Sequence, residues 1–148
     1  MKEEQVTKSI MRWLNSNGWE IVIFDFPQSG TGRLLHPNNR EGEKNKNCIN
    51  PDIVAVKGKI CLFFENKDRF YYNDYLKQNE MITNNNYSQA IDELLSNYSV
   101  ESIYYGIGLP SKEQNKKAIE KTKLVDFVVG VNDEKKVEIL YCKDNFLI

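Results

Sequence analysis

Two acidic residues and a lysine lie at the ends of two short apolar segments near the middle of the chain. Asp52 begins the first segment, Glu65 ends the second, and Lys67 follows two positions later. The sequence between the segments predicts a β-hairpin, and a two-residue turn at Gly58 and Lys59 would place Asp52 opposite Glu65. Because side chains alternate along a strand, Lys67 shares the face of Glu65. The three charged groups are therefore expected at one end of the hairpin.

This arrangement has a specific chemical use. Two facing carboxylates repel each other unless a proton or a cation lies between them. Mg²⁺ is bound by one or two carboxylates and keeps several waters, and Mn²⁺ is expected to substitute for it. An ammonium group beside such an ion can orient a water molecule or stabilise negative charge on a phosphate. Together these groups suit the hydrolysis of phosphodiester bonds.

Composition excludes several other classes of protein. With 148 residues, 41% of them hydrophobic, the chain is long enough for one domain, 1–148, and too apolar for a disordered segment. A single histidine excludes zinc nucleases and peptidases that need several, and three cysteines without a CxxC pair argue against a disulfide framework. No apolar run approaches ~20 residues and the start lacks a signal-peptide pattern, so a soluble, cytoplasmic protein is expected.

The elements that must position the charged residues follow from hydrophobic periodicity and turn signals. Their order, αβββαβαββ, predicts an α/β domain with a mixed central β-sheet flanked by helices. The predicted elements are a helix over 3–17, a strand over Trp19–Phe26, hairpin strands over Asp52–Val56 and Ile60–Glu65, one or two helices over 73–97 with a break at the three asparagines, a strand over Ser102–Gly108, a helix capped by Ser111 and ending near Lys123, and a hairpin of Val125–Val131 and Val137–Tyr141.

Pro51-Asp52, with Glu65-Asn66-Lys67 beginning thirteen positions after Asp52, resembles the motif of the PD-(D/E)xK nuclease superfamily. The resemblance extends from residue 3 to about residue 92. It implies a three-layer, restriction-endonuclease-like fold and an activity that depends on Mg²⁺.

The resemblance also implies a role for each motif residue. Asp52 and Glu65 would ligate Mg²⁺, the carbonyl of Asn66 would add a ligand, and Lys67 would serve the attacking water. The motif is short, and the chain contains a second ExK at Glu134. We interpret that copy as a solvated turn. Glu65 differs because it ends an apolar strand, where burying a charged group is unfavourable unless it is paired or has a function.

Other members of the superfamily add acidic and amide side chains from the flanking helices. Many place a glutamate of the first helix near the metal, and Glu3 is preferred over Glu4 because it shares the helix face of the apolar residues. Some relatives add a glutamine from the following helix. Gln78 and Gln89 both qualify, and the sequence does not choose between them.

A long polar segment, residues 27–50, precedes the motif and is expected to be irregular and to border the catalytic cleft. As in small resolvases, a basic residue here, Arg33, is expected to contact the scissile phosphate. Gln28, Arg40 and Lys44 suit contacts with nucleic acid, because arginine pairs with guanine and glutamine with adenine. The alternative is a disordered loop that makes no such contacts.

The favoured function is a Mg²⁺-dependent DNA endonuclease, specifically a small type II restriction enzyme that works as a homodimer on DNA. A Holliday-junction resolvase and a virus-type replication-repair (VRR) nuclease are competing subtypes, active on duplex or branched DNA. Three alternatives belong to other classes. They are a non-catalytic interaction module with the nuclease fold, an accidental surface salt bridge between Glu65 and Lys67, and a hydrolase built on Cys48 and His36.

Overall fold

This computed structural model describes residues 1–39 and 47–147 of the chain. Within them, the chain forms six strands and four α-helices. The helices are α1 (Glu3–Ser16), α2 (Tyr72–Thr83), α3 (Ser88–Leu94) and α4 (Lys116–Lys121). The strands are β1 (Glu20–Phe24), β2 (Ile53–Lys57), β3 (Ile60–Asn66), β4 (Ser102–Pro110), β5 (Phe127–Val131) and β6 (Val137–Cys142). Short 3-10 turns cover Ser111–Glu113, Thr122–Leu124 and Lys143–Asn145.

The strands form one mixed sheet in chain order, β1-β2-β3-β4-β5-β6. The pairs β3–β4 and β4–β5 are parallel, and the other three pairs are antiparallel. The predicted α/β class with a mixed sheet flanked by helices is confirmed. The motif strand β3 lies in the interior of this sheet, so both of its edges are hydrogen-bonded to neighbouring strands.

Helices lie on both faces of the sheet, which is compatible with three layers. On one face, the apolar stripe of α1, with Val6 and Ile10, packs against Ile53 and Phe64. On the other face, α3 packs against the alternate residues of β2 and β3, such as Val54. None of the described helices has the length and apolar character needed to cross a membrane.

The central hairpin has the predicted register. Val56 pairs with Cys61 and Val54 with Phe63, as a two-residue turn requires. Gly58 adopts a positive φ of 59°, a conformation that glycine reaches without steric cost. The face that carries Phe63 therefore also carries Glu65, on the side of α2 and α3.

The region 73–97 consists of two helices that are interrupted at the three asparagines, which confirms the predicted break. Asn84 ends α2 in an extended conformation. In the next turn, the side chain of Asn84 accepts a hydrogen bond from the backbone N–H of Asn86 (3.2 Å). This local bond offers the backbone an alternative to helical bonding.

The continuous helix predicted over 111–123 is wrong at its start. The hydroxyl of Ser111 donates to Glu138 Oε2 (2.7 Å) on β6 and makes no helix cap. The backbone forms a 3-10 turn there, and the α-helix begins only after Asn115, whose side chain accepts from Ala118 N–H (2.9 Å). A cross-sheet bond thus removes the expected cap, and the next suitable side chain replaces it.

Candidate active site

Asp52 lies one residue before β2, just beyond the last paired position of the hairpin, Ile53 and Phe64. Its backbone N–H donates to the Phe64 carbonyl (3.1 Å), and its Oδ2 accepts from the backbone N–H of Asn66 (2.7 Å). The Asp52 carboxylate thus takes the place of a strand acceptor at the end of the ladder. This bond fixes the side chain against the motif strand.

Glu65 lies on β3, half-buried, on the same face of the sheet. Burial, followed by the charges of Asp52 and Asp74, raises the pKa of Glu65 well above its ordinary value. Burial also raises the pKa of Asp52 to about 7, against the opposing effect of its bond from Asn66. The two acids therefore lie close enough to influence each other's ionisation, as the hairpin register predicts.

Lys67 follows the end of β3 and reaches both layers of helices. Its Nζ lies 3.7 Å from Glu3 Oε1 on α1 and 3.9 Å from Asp74 Oδ2 on α2. The ring of Tyr71 is 5.6 Å from the ammonium group. Burial lowers the pKa of Lys67, but the surrounding carboxylates outweigh it and the net shift is upward. Lys67 is therefore an ammonium ion at neutral pH.

The alternative of a surface salt bridge between Glu65 and Lys67 is wrong. In the part of the chain that the structure describes, the ion pairs of Lys67 are formed with Glu3 and Asp74. Glu65 lies on an interior strand of the sheet and not at a surface edge.

Asn66 has its side chain on the opposite face, where Nδ2 donates to Thr7 Oγ1 of α1 (3.0 Å). Its backbone carbonyl is placed differently. Carbonyls two residues apart on a strand point to the same side, and the Phe64 carbonyl accepts from Asp52 N–H. The Asn66 carbonyl is thus on the Asp52 side of β3, which is where the resemblance requires a backbone ligand.

The structure separates the two candidate glutamates of α1. Glu3 pairs with Lys67, whereas Glu4 pairs with Lys8 at 3.2 Å on the exposed side of the helix. The preference for Glu3 at the site is consistent with this placement, because Glu3 shares the helix face that packs on the sheet.

The structure also separates the two candidate glutamines. Gln78 is buried, lines the cleft that holds Glu65, and donates from Nε2 to the carbonyls of Phe63 (3.1 Å) and Gly106 (2.7 Å). Gln89 lies on α3, outside the lining of that cleft. Gln78 is therefore the glutamine that the fold brings to the site.

A cleft of about 910 Å³ opens above the acids and is lined by Asp52, Glu65 and Lys67. One wall is α2, and the other includes Pro37 and residues 47–50 of the polar segment. The described part of that segment is irregular except for one bridge. The expectation that it borders the cleft is confirmed for Pro37, Asn39 and residues 47–50, whereas residues 27–36 do not line the cleft.

The predicted nucleic-acid contacts of this segment have mixed outcomes. Gln28 and Arg33 are exposed and do not line the cleft. Arg40 and Lys44 lie outside the described residues. The wall of the cleft instead presents neutral amides, among them Asn39.

Sequence analysis also missed Asp74, in the first turn of α2. It is 1% exposed, and within residues 1–39 and 47–147 neither of its carboxylate oxygens has a hydrogen-bond partner. A signal was present: Asp74 precedes Gln78 by four residues, so the two share one helix face. Any argument that brings Gln78 to the site brings Asp74 to the same side of α2.

The charges around the site do not balance. Four carboxylates and two ammonium groups supply the charges that act at the site. They belong to Glu3, Asp52, Glu65, Asp74, Lys67 and Lys77. When all are ionised, two negative charges are in excess, which equals the charge of one divalent cation. Among the described residues, no three acidic, histidine or cysteine side chains are assembled as a ready-made metal cluster. Asp52 and Glu65, which both line the cleft, are the acids that could hold a cation there.

A second reactive pair occurs on the loop wall. The bridge between Leu35 and Ile49 places His36 beside Cys48, with Nδ1 and Sγ 2.9 Å apart. Cys48 lines the cleft. The geometric requirement for a cysteine–histidine pair is therefore met.

The raised pKa of Asp52 predicts how stability depends on pH without metal. Folded Asp52 keeps its proton up to about pH 7, whereas the unfolded residue loses it near its ordinary value of 3.8, so stability falls as pH rises between these values. Asp52→Asn should therefore raise Tm at about pH 8 by roughly 3–8 °C in chelator, since ~1–2 kcal/mol shifts Tm by that much. The gain should vanish towards pH 4.

Thermal unfolding of both proteins across this pH range tests the prediction. Asp92→Asn, at an exposed position of α3, is the matched control and should change Tm little at any pH. If Asp52 serves only to hold the fold together, its replacement lowers Tm at about pH 8 instead.

Comparisons with known proteins add no family to this description. No protein-family model matches the chain, and no curated protein or solved structure matches it significantly. The resemblance to PD-(D/E)xK nucleases rests on the motif residues.

Proposed function

We propose that this protein is a Mg²⁺-dependent DNA endonuclease with a restriction-endonuclease-like fold, in which Asp52 and Glu65 hold the cation. The observation that carries the proposal is the pair of acids at the end of an interior hairpin, each with a raised pKa. Burying two like charges together is unfavourable without a cation or proton between them. We therefore infer that a cation bound in the open cleft offsets the repulsion between the two acids.

The donor atoms fit a hard divalent cation. The available groups are carboxylate oxygens and the Asn66 carbonyl, and the open cleft leaves space for the waters that Mg²⁺ retains. The excess of two negative charges agrees with one such ion, and Mn²⁺ should replace it. When bound, the cation would supply an activated water and polarise the phosphate.

The remaining residues have separate tasks in this proposal. Lys67 is an ammonium ion at the cleft, suited to stabilising charge on a phosphate oxygen or to orienting the attacking water. Glu3 and Asp74 balance its charge from the two helix layers. Gln78 joins the carbonyls of β3 and β4 beneath the cleft and so fixes its floor.

The subtype we favour is a small type II restriction enzyme that acts on DNA in the cytoplasm. The wall formed by the polar segment supports it, because amides such as Asn39 and Asn47 line the cleft and asparagine pairs with adenine edges. A homodimer would supply two sites for the two strands. A Holliday-junction resolvase and a VRR-type repair nuclease share the same site and are the alternative subtypes.

Incubation with plasmid DNA and with a synthetic four-way junction, with Mg²⁺ or with chelator, tests the function and separates the subtypes. Discrete plasmid fragments indicate a restriction enzyme, and symmetric nicking of the junction indicates a resolvase. Glu65→Gln prepared in parallel controls for contaminating nucleases. Absence of cleavage of either substrate with both Mg²⁺ and Mn²⁺ contradicts the proposal and favours the non-catalytic interaction module.

Metal binding should depend steeply on pH. Because Asp52 holds a proton up to about pH 7 in the metal-free protein, a cation must displace that proton to bind. Affinity for Mn²⁺ should therefore rise by at least roughly tenfold per pH unit between about pH 5.5 and pH 7, and the raised pKa of Glu65 should make this dependence steeper. Calorimetry in two buffers of different ionisation enthalpy measures the released proton. An affinity that does not change with pH contradicts the assignment of Asp52 as a ligand.

The contact between Cys48 and His36 favours one candidate of another class, a hydrolase with a thiol nucleophile. The substitution Cys48→Ala distinguishes the thiol hydrolase from the metal-dependent nuclease. It should leave DNA cleavage within about twofold of wild type if the carboxylates do the chemistry, because the thiol is on the wall of the cleft and not among the acids. Loss of all activity in Cys48→Ala, with Glu65→Gln unaffected, supports the hydrolase instead.

A further inference from the structure

Asp74 is a buried acid whose two oxygens have no hydrogen-bond partner among the residues that the structure describes. It is 1% exposed, and burial raises its pKa, with Lys67 and Lys77 opposing that shift. A buried polar group without hydrogen bonds is costly and rare in folded proteins. The presence of Asp74 therefore requires an explanation beyond helix formation.

A capping role does not explain it. Asp74 is in the first turn of α2, but the helix has no side-chain cap at its start, and the Asp74 carboxylate accepts no bond from the backbone. A direct role in the cleft does not explain it either, because Asp74 does not line the cleft. Its closest charged partner is Lys67, with 3.9 Å between Oδ2 and Nζ.

The geometry of Lys67 shows what this carboxylate can do. A lysine side chain is flexible, and holding it in one position costs rotamer entropy. Glu3 contacts the ammonium group from α1, and Asp74 contacts it from α2. Glu3 is partly exposed, with 26% of its side chain accessible, whereas Asp74 is enclosed. The enclosed carboxylate is the more rigid of the two.

We propose that Asp74 is a positioning residue that holds the Lys67 ammonium group at the edge of the cleft from behind. This inference rests on the proposed nuclease function for its consequence, since Lys67 is the group that acts on the water or the phosphate. Misplacement of such a group by about 1 Å costs roughly 10²-fold in rate. The carboxylate thus acts through Lys67 and does not touch the substrate.

The test uses Asp74→Asn, which preserves shape and removes the charge, with Asp92→Asn as control. Single-turnover cleavage should fall by roughly 10–100-fold in Asp74→Asn. The rate is compared at saturating Mg²⁺, because the charge of Asp74 acts on Asp52 and Glu65 and its loss should raise the Mg²⁺ concentration for half-maximal rate by a few-fold at most. The affinity for DNA should stay within about threefold, because the walls of the cleft do not change. Tm should stay or rise, because burial disfavours the charge that is removed and Lys67 keeps its ion pair with Glu3. Asp74→Glu should recover part of the rate.

A second measurement does not depend on activity. Acetylation of lysines by an N-hydroxysuccinimide ester, followed by mass spectrometry, should modify Lys67 slowly in the wild type and several-fold faster in Asp74→Asn. The exposed Lys59 serves as an internal reference in each sample. An unchanged Lys67 rate overturns the inference, whatever the activity.

The two measurements distinguish the failure of this inference from that of the proposed function. If the wild-type protein cleaves no DNA but Lys67 is labelled faster in Asp74→Asn, the contact between Asp74 and Lys67 is supported and the proposed nuclease function is rejected. A wild-type protein that cleaves DNA, with Asp74→Asn equally fast, overturns the positioning role. A parallel loss of rate and Tm in Asp74→Asn indicates a structural role and overturns it too.

Discussion

Glu65→Gln is expected to reduce Mg²⁺-dependent DNA cleavage by at least ~10²-fold while the protein stays folded. The amide keeps the shape and the hydrogen-bonding capacity of the side chain but removes the charge that holds the cation. Metal affinity and cleavage should therefore fall together. DNA binding should persist or tighten, because one charge that repels the phosphates is gone. Metal titration beside single-turnover cleavage measures both effects.

The chain supplies its own control for this substitution. Glu134 belongs to a second ExK sequence, in an exposed turn where its Oε2 lies 3.8 Å from Lys136 Nζ. Glu134→Gln should leave both metal affinity and cleavage unchanged. Normal Mg²⁺ binding by Glu65→Gln contradicts the role of Glu65 as a ligand.

Lys67→Ala should separate metal binding from catalysis. Both acids remain in place, so the cation should still bind, and the loss of a neighbouring positive charge should strengthen its binding. Cleavage should nevertheless fall by roughly 10²-fold or more, the usual scale for removing an acid–base or positioning group. Lys136→Ala is the matched control.

Single-turnover cleavage at saturating Mn²⁺ is the decisive measurement for Lys67, because it excludes effects of metal occupancy. A wild-type rate in Lys67→Ala contradicts the role assigned to this residue. Full activity in both Lys67→Ala and Glu65→Gln indicates that the motif has no part in the function.

The part of the site that could be predicted depends on local rules. Alternation along a strand and the turn at Gly58 are sufficient to place Asp52 opposite Glu65 and to put Lys67 on the same face. The hairpin keeps that register up to the pair formed by Ile53 and Phe64, which are the residues next to Asp52 and Glu65. The choice of Glu3 over Glu4 was equally local, since it required only the angular spacing of a helix.

The rest depends on contacts between distant parts of the chain. The partners of Lys67 come from two helices on opposite sides of the sheet, and no periodicity indicates that they meet at its ammonium group. Gln78 and Gln89 are equivalent by pattern and differ only in how their helices lie on the sheet. Ser111 has the sequence of a helix cap but bonds to Glu138 across the sheet instead.

The central claim is that Asp52 and Glu65 form one site for a divalent cation. Calorimetric titration of the metal-free protein with Mn²⁺ at about pH 8, beside Asp52→Asn and Asp92→Asn, tests it most directly. The account predicts one cation per chain in the wild type and in Asp92→Asn, and an affinity at least ~10-fold weaker in Asp52→Asn. No binding by the wild type, or equal affinity in all three proteins, would contradict it.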